Sequence, residues 1–282
     1  MIRSLRCTLV AALLGLALDA TAEERIRDFE AELVVARDGM FRVTERIGYD
    51  FGTNRRRGIF REIPVRYGRG SAADYRIALD VEAVTDATGG ERPYELSNEG
   101  RNRYIRIGDP NVRVDGHHDY HVRYRVRRGI LWLEEHDEIY WNVTGNGWRV
   151  PMETVRFRIS VPDGSAGGLR VLCFTGRMGA IETDCRSEVS GDEARFATTR
   201  RLGPGEGLTV VLALPKGVLD EPGALAKLLD RASDYVNAAT ALPFVTFFGL
   251  GAYWRRFGRD PVARNNASYE NSRSPAAVRA MT

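Results

Sequence analysis

The sequence predicts a mainly β protein, an antiparallel β-sandwich followed by one transmembrane helix. Three patterns carry that expectation. Short runs with apolar residues at every second position recur from Ile26 to about Pro215, the period of half-buried strands. Gly, Asp and Asn turns separate the runs, and no amphipathic helical pattern lies between them, which favours sheet packed on sheet. Val236 to Trp254 is then predominantly apolar and carries no formal charge, a length suited to a hydrocarbon core of about 30 Å.

Residues 1–22 have the layout of a secretory signal peptide. Arg3 and Arg6 precede an apolar stretch from Thr8 to Leu18, and Ala20-Thr21-Ala22 directs cleavage before Glu23. An uncleaved anchor is the alternative, but the apolar stretch is short for a span. Cys7 precedes that stretch, which is the wrong place for a lipoprotein acylation site.

Residues 23–218 form the expected exported β domain. Phe29, Ala31, Leu33 and Val35 alternate with polar neighbours, and Phe41, Val43, Ile47, Tyr49 and Phe51 return after Asp38-Gly39, a hairpin signal. Further runs are Tyr75-Ile77-Leu79-Val81, Tyr104 to Ile107 and Tyr120-Val122-Tyr124-Val126, the last alternating with Arg123, Arg125 and Arg127. Ile130 to Trp141, Val155-Phe157-Ile159-Val161, Leu169 to Phe174 and Leu208-Val210-Leu212-Leu214 complete the set.

Residues 219–235 read as a juxtamembrane helix opened by Pro222. Residues 236–254 are the expected span, with Tyr235 and Tyr253-Trp254 at the two interfaces. Arg255, Arg256 and Arg259 begin a basic tail, residues 255–282, that belongs on the cytoplasmic side. The β domain then lies on the periplasmic or extracellular side of the cytoplasmic membrane. A buried soluble helix is the alternative, since Asn237, Thr240 and Pro243 lower the hydropathy of the stretch.

The net charge is +3, of which +1 precedes Glu23 and +4 lies from Arg255 onward, leaving −2 between them. That distribution gives no support to a nucleic-acid-binding β domain. Cys173 and Cys185 are expected to form a structural disulfide, since bridges persist outside the cytoplasm. A metal pair or redox couple is the alternative, without C-x-x-C spacing or a nearby His to support it.

Glu45 shares register with Phe41, Val43, Ile47 and Tyr49, and Arg61 shares register with Ile59 and Ile63. Two inward charges of opposite sign are expected to pair with each other as a buried ion pair. His117, His118, Asp119 and His121 suggest metal ligation, but they follow an Asp115-Gly116 turn and read as a solvated strand start. No metal, cofactor or catalytic set is expected.

Trp141 and Trp148 bracket a Gly/Asn-rich loop. Trp141, Asn142, Asn146 and Trp148 are candidate binding residues, with core packing the alternative role for the two tryptophans. Asn142-Val143-Thr144 matches a glycosylation sequon. Glu134, Glu135, Asp137 and Glu138 are dense around one strand and read as a solvated face, or as paired carboxylates of a glycan or peptide hydrolase.

Several of these segments together resemble the predicted membrane proteins of domain of unknown function 2207. They are Asp38-Gly39 with Val43-Thr44-Glu45, Gly58-Ile59-Phe60-Arg61-Glu62-Ile63-Pro64, and Tyr120-His121-Val122-Arg123-Tyr124. They continue with Asp137-Glu138-Ile139-Tyr140-Trp141-Asn142, Gly145-Asn146-Gly147-Trp148, Pro204-Gly205-Glu206 and Gly258-Arg259-Asp260-Pro261. The resemblance implies an exported β-rich domain, membrane helices and a cytoplasmic part, with no assigned activity. Tyr269 and Ser274-Pro275-Ala276-Ala277 resemble the start of a longer cytoplasmic segment. The expectation is an integral membrane protein whose β domain binds, senses or assembles with an envelope protein or glycan. A hydrolase is its rival, and packing through Gly249 and Gly251 is the assembly variant.

Overall fold

The computed structural model describes residues 23–69, 72–165, 167–235 and 238–258. The expected signal peptide, Cys7, positions 236 and 237 of the expected span, and the tail from Arg259 lie outside the described residues.

In chain order the strands are β1 (Arg25–Val35), β2 (Phe41–Asp50), β3 (Ile59–Pro64), β4 (Arg66–Arg69), β5 (Ala72–Arg76), β6 (Ala78–Thr85), β7 (Tyr94–Glu99) and β8 (Asn102–Ile107). They continue as β9 (His117–Arg127), β10 (Ile130–Trp132), β11 (His136–Asn142), β12 (Met152–Ser160), β13 (Arg170–Gly176), β14 (Cys185–Ser190), β15 (Glu193–Thr198) and β16 (Gly207–Pro215). Two helices follow, α1 (Ala224–Tyr235) and α2 (Ala238–Phe257). The chain divides into two compact units between Lys227 and Leu228.

The β unit has a seven-stranded sheet in the order β14-β15-β12-β1-β2-β9-β6. A four-stranded sheet, β10-β11-β16-β13, a three-stranded sheet, β3-β8-β7, and the hairpin β4-β5 accompany it. Inward residues of these sheets form one core: Phe29, Leu33, Phe41, Val43, Val122, Val126, Phe157 and Ile159 meet Ile63, Ile105, Ile139, Val210 and Leu212. Edge-on packing of Phe41 against Trp141, with centroids 5.4 Å apart, joins the seven- and four-stranded sheets. The alternation that singled out these strands in the sequence is the alternation of their burial.

The wholly antiparallel arrangement expected from the sequence is corrected by one ladder. β1 pairs antiparallel with β2 on one side and parallel with β12 on the other, Phe29 opposite Val155 and Leu33 opposite Ile159. The sheet is therefore mixed, because β1 is central and its second neighbour arrives from far along the chain. The run Tyr75-Ile77-Leu79-Val81 is also not one strand. Ile77 separates β5 from β6, and a bulge between Val81 and Ala83 moves the buried position on to Val84. The edge strands β7 and β14 had no apolar alternation to reveal them: β7 is exposed throughout, and β14 is exposed after Cys185.

After β16 the chain remains part of the β unit for several residues. Val218 and Leu219 are buried in the core, and the Asp220 amide donates to the Arg37 carbonyl at 2.6 Å. In the second unit, α2 carries Pro243 within it and Arg255 and Arg256 in its last turn. Among the described residues, no helix is long and apolar enough to cross a membrane. The uncharged part of α2, from Ala238 to Trp254, rises about 25 Å at 1.5 Å per residue, short of a hydrocarbon core of about 30 Å.

Candidate functional site

The loop from Asn142 to Trp148 is built around a buried charge. Arg61, on β3, donates from Nε and Nη2 to the two carboxylate oxygens of Glu45 on β2, both at 2.7 Å. Its remaining donors reach the carbonyls of Glu62 (2.5 Å), Thr144 (2.7 Å) and Val143 (2.8 Å). All five guanidinium donors are thereby used, the condition under which a charge is tolerated in a core. The Tyr124 hydroxyl on β9 donates to Glu45 Oε1 at 2.6 Å, and Arg61 lies over the Phe29 ring. Burial opposes the charge on Arg61, but the adjacent Glu45 carboxylate prevails and raises its pKa. Burial, then Glu45, pushes the Tyr124 phenol well above its ordinary value.

Two glycines let the loop approach this charge. Gly145 has φ +72°, and a Cβ there would lie 2.6 Å from the Glu62 carbonyl oxygen. A Cβ on Gly147 would lie 2.1 Å from Glu62 Oε2. Trp148 Nε1 donates to the Thr144 carbonyl at 2.9 Å, filling the acceptor that Arg61 also uses. Asn142 accepts from the Gly145 amide and donates to Asn146 Oδ1, while Asn146 Nδ2 reaches the carbonyls of Gly176 and Gly205.

Of the two roles weighed for Trp141 and Trp148, binding and core packing, their position fits the second. They are 2% and 6% exposed, so neither offers a ring face to a ligand. Their rings fill the core, Trp141 beside Phe41 and Tyr124 and Trp148 beside Phe29 and Tyr49. Asn142 and Asn146 are half-buried and border a cleft of about 250 Å³. Tyr140, Phe174 and the exposed Met178 and Ile181 also line it. Cross-strand neighbours Tyr140, Val211 and Leu172 extend the surface on the outer side of the four-stranded sheet.

The other clusters do not converge. His117 faces Asp119 at 3.2 Å, whereas His118 bonds the Asp115 carbonyl and packs edge-on against Phe51. Among the described residues, no group of three or more His, Cys, Asp or Glu is arranged to hold a metal. The acidic run is split by the strand's alternation. Glu134 and Glu135 are exposed, Asp137 is buried and held by Lys216 Nζ at 2.7 Å, and Glu138 points to the opposite face of β11. Cys173 and Cys185 form a disulfide that ties β13 to β14.

Two features were not legible from the sequence. The outer face of the seven-stranded sheet holds a cavity of about 540 Å³ lined by Arg46, Arg156, Arg158, Arg186 and Arg195, with Glu30, Glu32 and Glu188 among them. Alternation sent Glu30, Glu32, Arg46, Arg156 and Arg158 outward, but only the ladders bring them together, Arg156 beside Glu30 and Arg158 beside Glu32. The second is the exit of the chain from the β unit. Lys216 bridges Asp137 and Glu221, and Glu221 also pairs with Lys227 in the first turn of α1. In the sequence Asp137 reads as part of a solvated acidic face, whereas it is buried beneath Lys216.

A family model described as "Predicted membrane protein (DUF2207) N-terminal domain" matches residues 25–214. The curated protein described as "Uncharacterized protein YciQ", from Escherichia coli strain K12, is 26% identical over 162 residues, 56% of this chain. The match spans about a quarter of that protein's length. Among solved structures, leukotriene A4 hydrolase of Saccharomyces cerevisiae aligns with 67% of this chain and 29% of its own, at 12% identity and TM-score 0.40. An M1 zinc metallopeptidase of Deinococcus radiodurans aligns over 67% and 42%, at 11% identity and TM-score 0.37. Likeness at that level carries no argument about activity.

Proposed function

The chain belongs to the DUF2207 family of predicted membrane proteins, and from that premise we propose that it is a membrane-anchored envelope protein. Its β domain works outside the cytoplasmic membrane in binding, sensing or assembly, and the apolar segment of residues 236–254 is its anchor. One observation carries the reading. α2 presents exposed apolar side chains around its whole circumference, Leu242, Phe244, Phe247, Phe248, Leu250 and Trp254 among them. A helix apolar on all sides belongs in a protein core or in lipid. Arg255 and Arg256 follow at once, as on the cytoplasmic side of a span. In the sequence the uncharged run from Val236 to Trp254 is 19 residues long, close to the roughly 20 that a span needs. The disulfide favours the oxidising side for the β domain. The cleft beside Asn142 and Asn146, with its exposed apolar lip, is the proposed contact surface of that domain.

Reporter fusions after Val218 and after Asp260 test the reading. An exported reporter at the first position and a cytoplasmic one at the second is the expected result. Export at both positions would remove the anchor, and a cytoplasmic reporter at Val218 would remove the exported domain.

A further inference from the structure

The short helix α1 sorts its side chains by chemistry. Leu225, Leu228 and Leu229 stand at i, i+3 and i+4, the spacing of one helix face. They are 69%, 62% and 62% exposed. Lys227 and Asp230 lie on the opposite arc at about 100° per residue. The start of the helix is held in place: Lys227 pairs with Glu221, which also pairs with Lys216, itself bound to the buried Asp137. Two residues separate its other end, Tyr235, from Ala238, the first residue of α2.

We infer that α1 lies in the lipid–water interface, with Leu225, Leu228 and Leu229 immersed in the outer edge of the bilayer. This deepens the anchored reading above and rests on it. Three exposed leucines on one face, with charges opposite, are the pattern of a helix lying in a membrane surface. Lipid is the occupant that connectivity supplies. Three steps of chain from Tyr235 to Ala238 span at most about 11 Å, so the end of α1 cannot leave the neighbourhood of a membrane-inserted α2. Lys227, on the polar arc, is meanwhile paired with Glu221 at the chain's exit from the β unit.

The test uses the full chain with Cys7→Ser, reconstituted into vesicles of phosphatidylethanolamine and phosphatidylglycerol. Cys173 and Cys185 are already bonded to each other. An environment-sensitive dye is placed in turn at Leu228→Cys, Leu229→Cys, Lys227→Cys and, as the anchor control, Phe248→Cys. At Leu228→Cys and Leu229→Cys the emission should shift to the blue, and most of it should be lost to a quencher carried near the lipid headgroup. Lys227→Cys should stay open to a water-soluble quencher, and Phe248→Cys should respond to a quencher deep in the acyl chains. Deep quenching at Phe248→Cys with water-exposed leucine positions would overturn the interfacial helix and leave the anchor standing. Leucine positions shielded from water yet unquenched by lipid would mean that protein covers them, which also overturns it. No lipid quenching at Phe248→Cys would overturn the anchor, and the inference with it.

Discussion

Replacing Arg61 with methionine strands a carboxylate in the core. Glu45 would keep only the Tyr124 hydroxyl, and the carbonyls of Val143 and Glu62 would lose their Arg61 donor. The Thr144 carbonyl would still receive Trp148. Removing one partner of a buried pair costs about 3–5 kcal/mol, and two orphaned carbonyls add about 1 kcal/mol each, so Arg61→Met should lose about 6 kcal/mol. That approaches the whole stability of an ordinary domain, about 5–15 kcal/mol. Adding Glu45→Met removes the stranded charge, leaving two carbonyls and the Tyr124 hydroxyl unpaired, about 3 kcal/mol together. The double variant should therefore be more stable than Arg61→Met by about 3 kcal/mol. With a urea slope of about 2 kcal/mol per molar, the midpoint recovers by about 1.5 M. Urea unfolding followed by tryptophan fluorescence reads this, since Trp141 and Trp148 sit against the pair's surroundings. A double variant no more stable than Arg61→Met would refute the argument, as would a loss below about 1 kcal/mol for the single change.

Gly145→Ala should cost more than about 2 kcal/mol, since left-handed strain of about 1–2 kcal/mol is joined by a backbone contact at 2.6 Å. Gly205→Ala, at φ +79° with open space around it, should cost only the strain, and equal losses in urea unfolding would count against the close-approach account. Cys173→Ser with Cys185→Ser should lose about 2–4 kcal/mol on the loop-entropy model, and an unchanged midpoint under reduction would oppose it. Lys216→Met should cost about 2–3 kcal/mol, below the full buried-pair value because Lys216 is partly exposed while Asp137 is not. Glu221→Gln, at an exposed pair, should change the melting temperature little. Asp50 is held below the usual carboxylate range by the Gly52 amide and by Arg27 and Arg25, and Glu206 by Arg200 and the Gly203 amide. Carboxyls with lowered folded pKa values stabilise above the unfolded value of about 4 and lose that contribution as pH falls through the folded one. Thermal unfolding should therefore hold steady from neutral pH to about pH 5 and decline below about pH 4, less steeply in Asp50→Asn.

Strands were legible wherever burial alternates. Phe29 to Val35, Tyr120 to Val126 and Leu208 to Leu214 lie with one face in the core, and period two is the direct imprint of that. β7 and β14 left no imprint because neither buries a face. Pairing order was out of reach for a different reason: Phe29 beside Val155 is a contact of high sequence separation, and nothing local to either strand specifies it. Glu45 and Arg61 stood out because a charge in an apolar register needs a partner, and those two are bonded to each other. The tryptophans were ambiguous by nature, since a large aromatic ring serves a core or a ligand equally well. The row Arg46, Arg156 and Arg186 was hidden because outward charges on separate strands have no register of their own until the ladders align them.

The position of β1 between β2 and β12 sets an order of events during synthesis. β1 and β2 emerge across the membrane early and can close their hairpin there, yet the other side of β1 has no neighbour until Met152 to Ser160 has followed. For more than a hundred residues of translation, that edge offers unpaired amides and carbonyls beside Phe29, Ala31 and Leu33. Such edges recruit other chains, and a late long-range pairing folds slowly. Glu30 and Glu32 lie on that same waiting strand, among its apolar residues, and gain the ion pairs with Arg156 and Arg158 only when β12 arrives. Until then their like charge repels a second copy of the strand, a safeguard that the correct partner cancels on arrival.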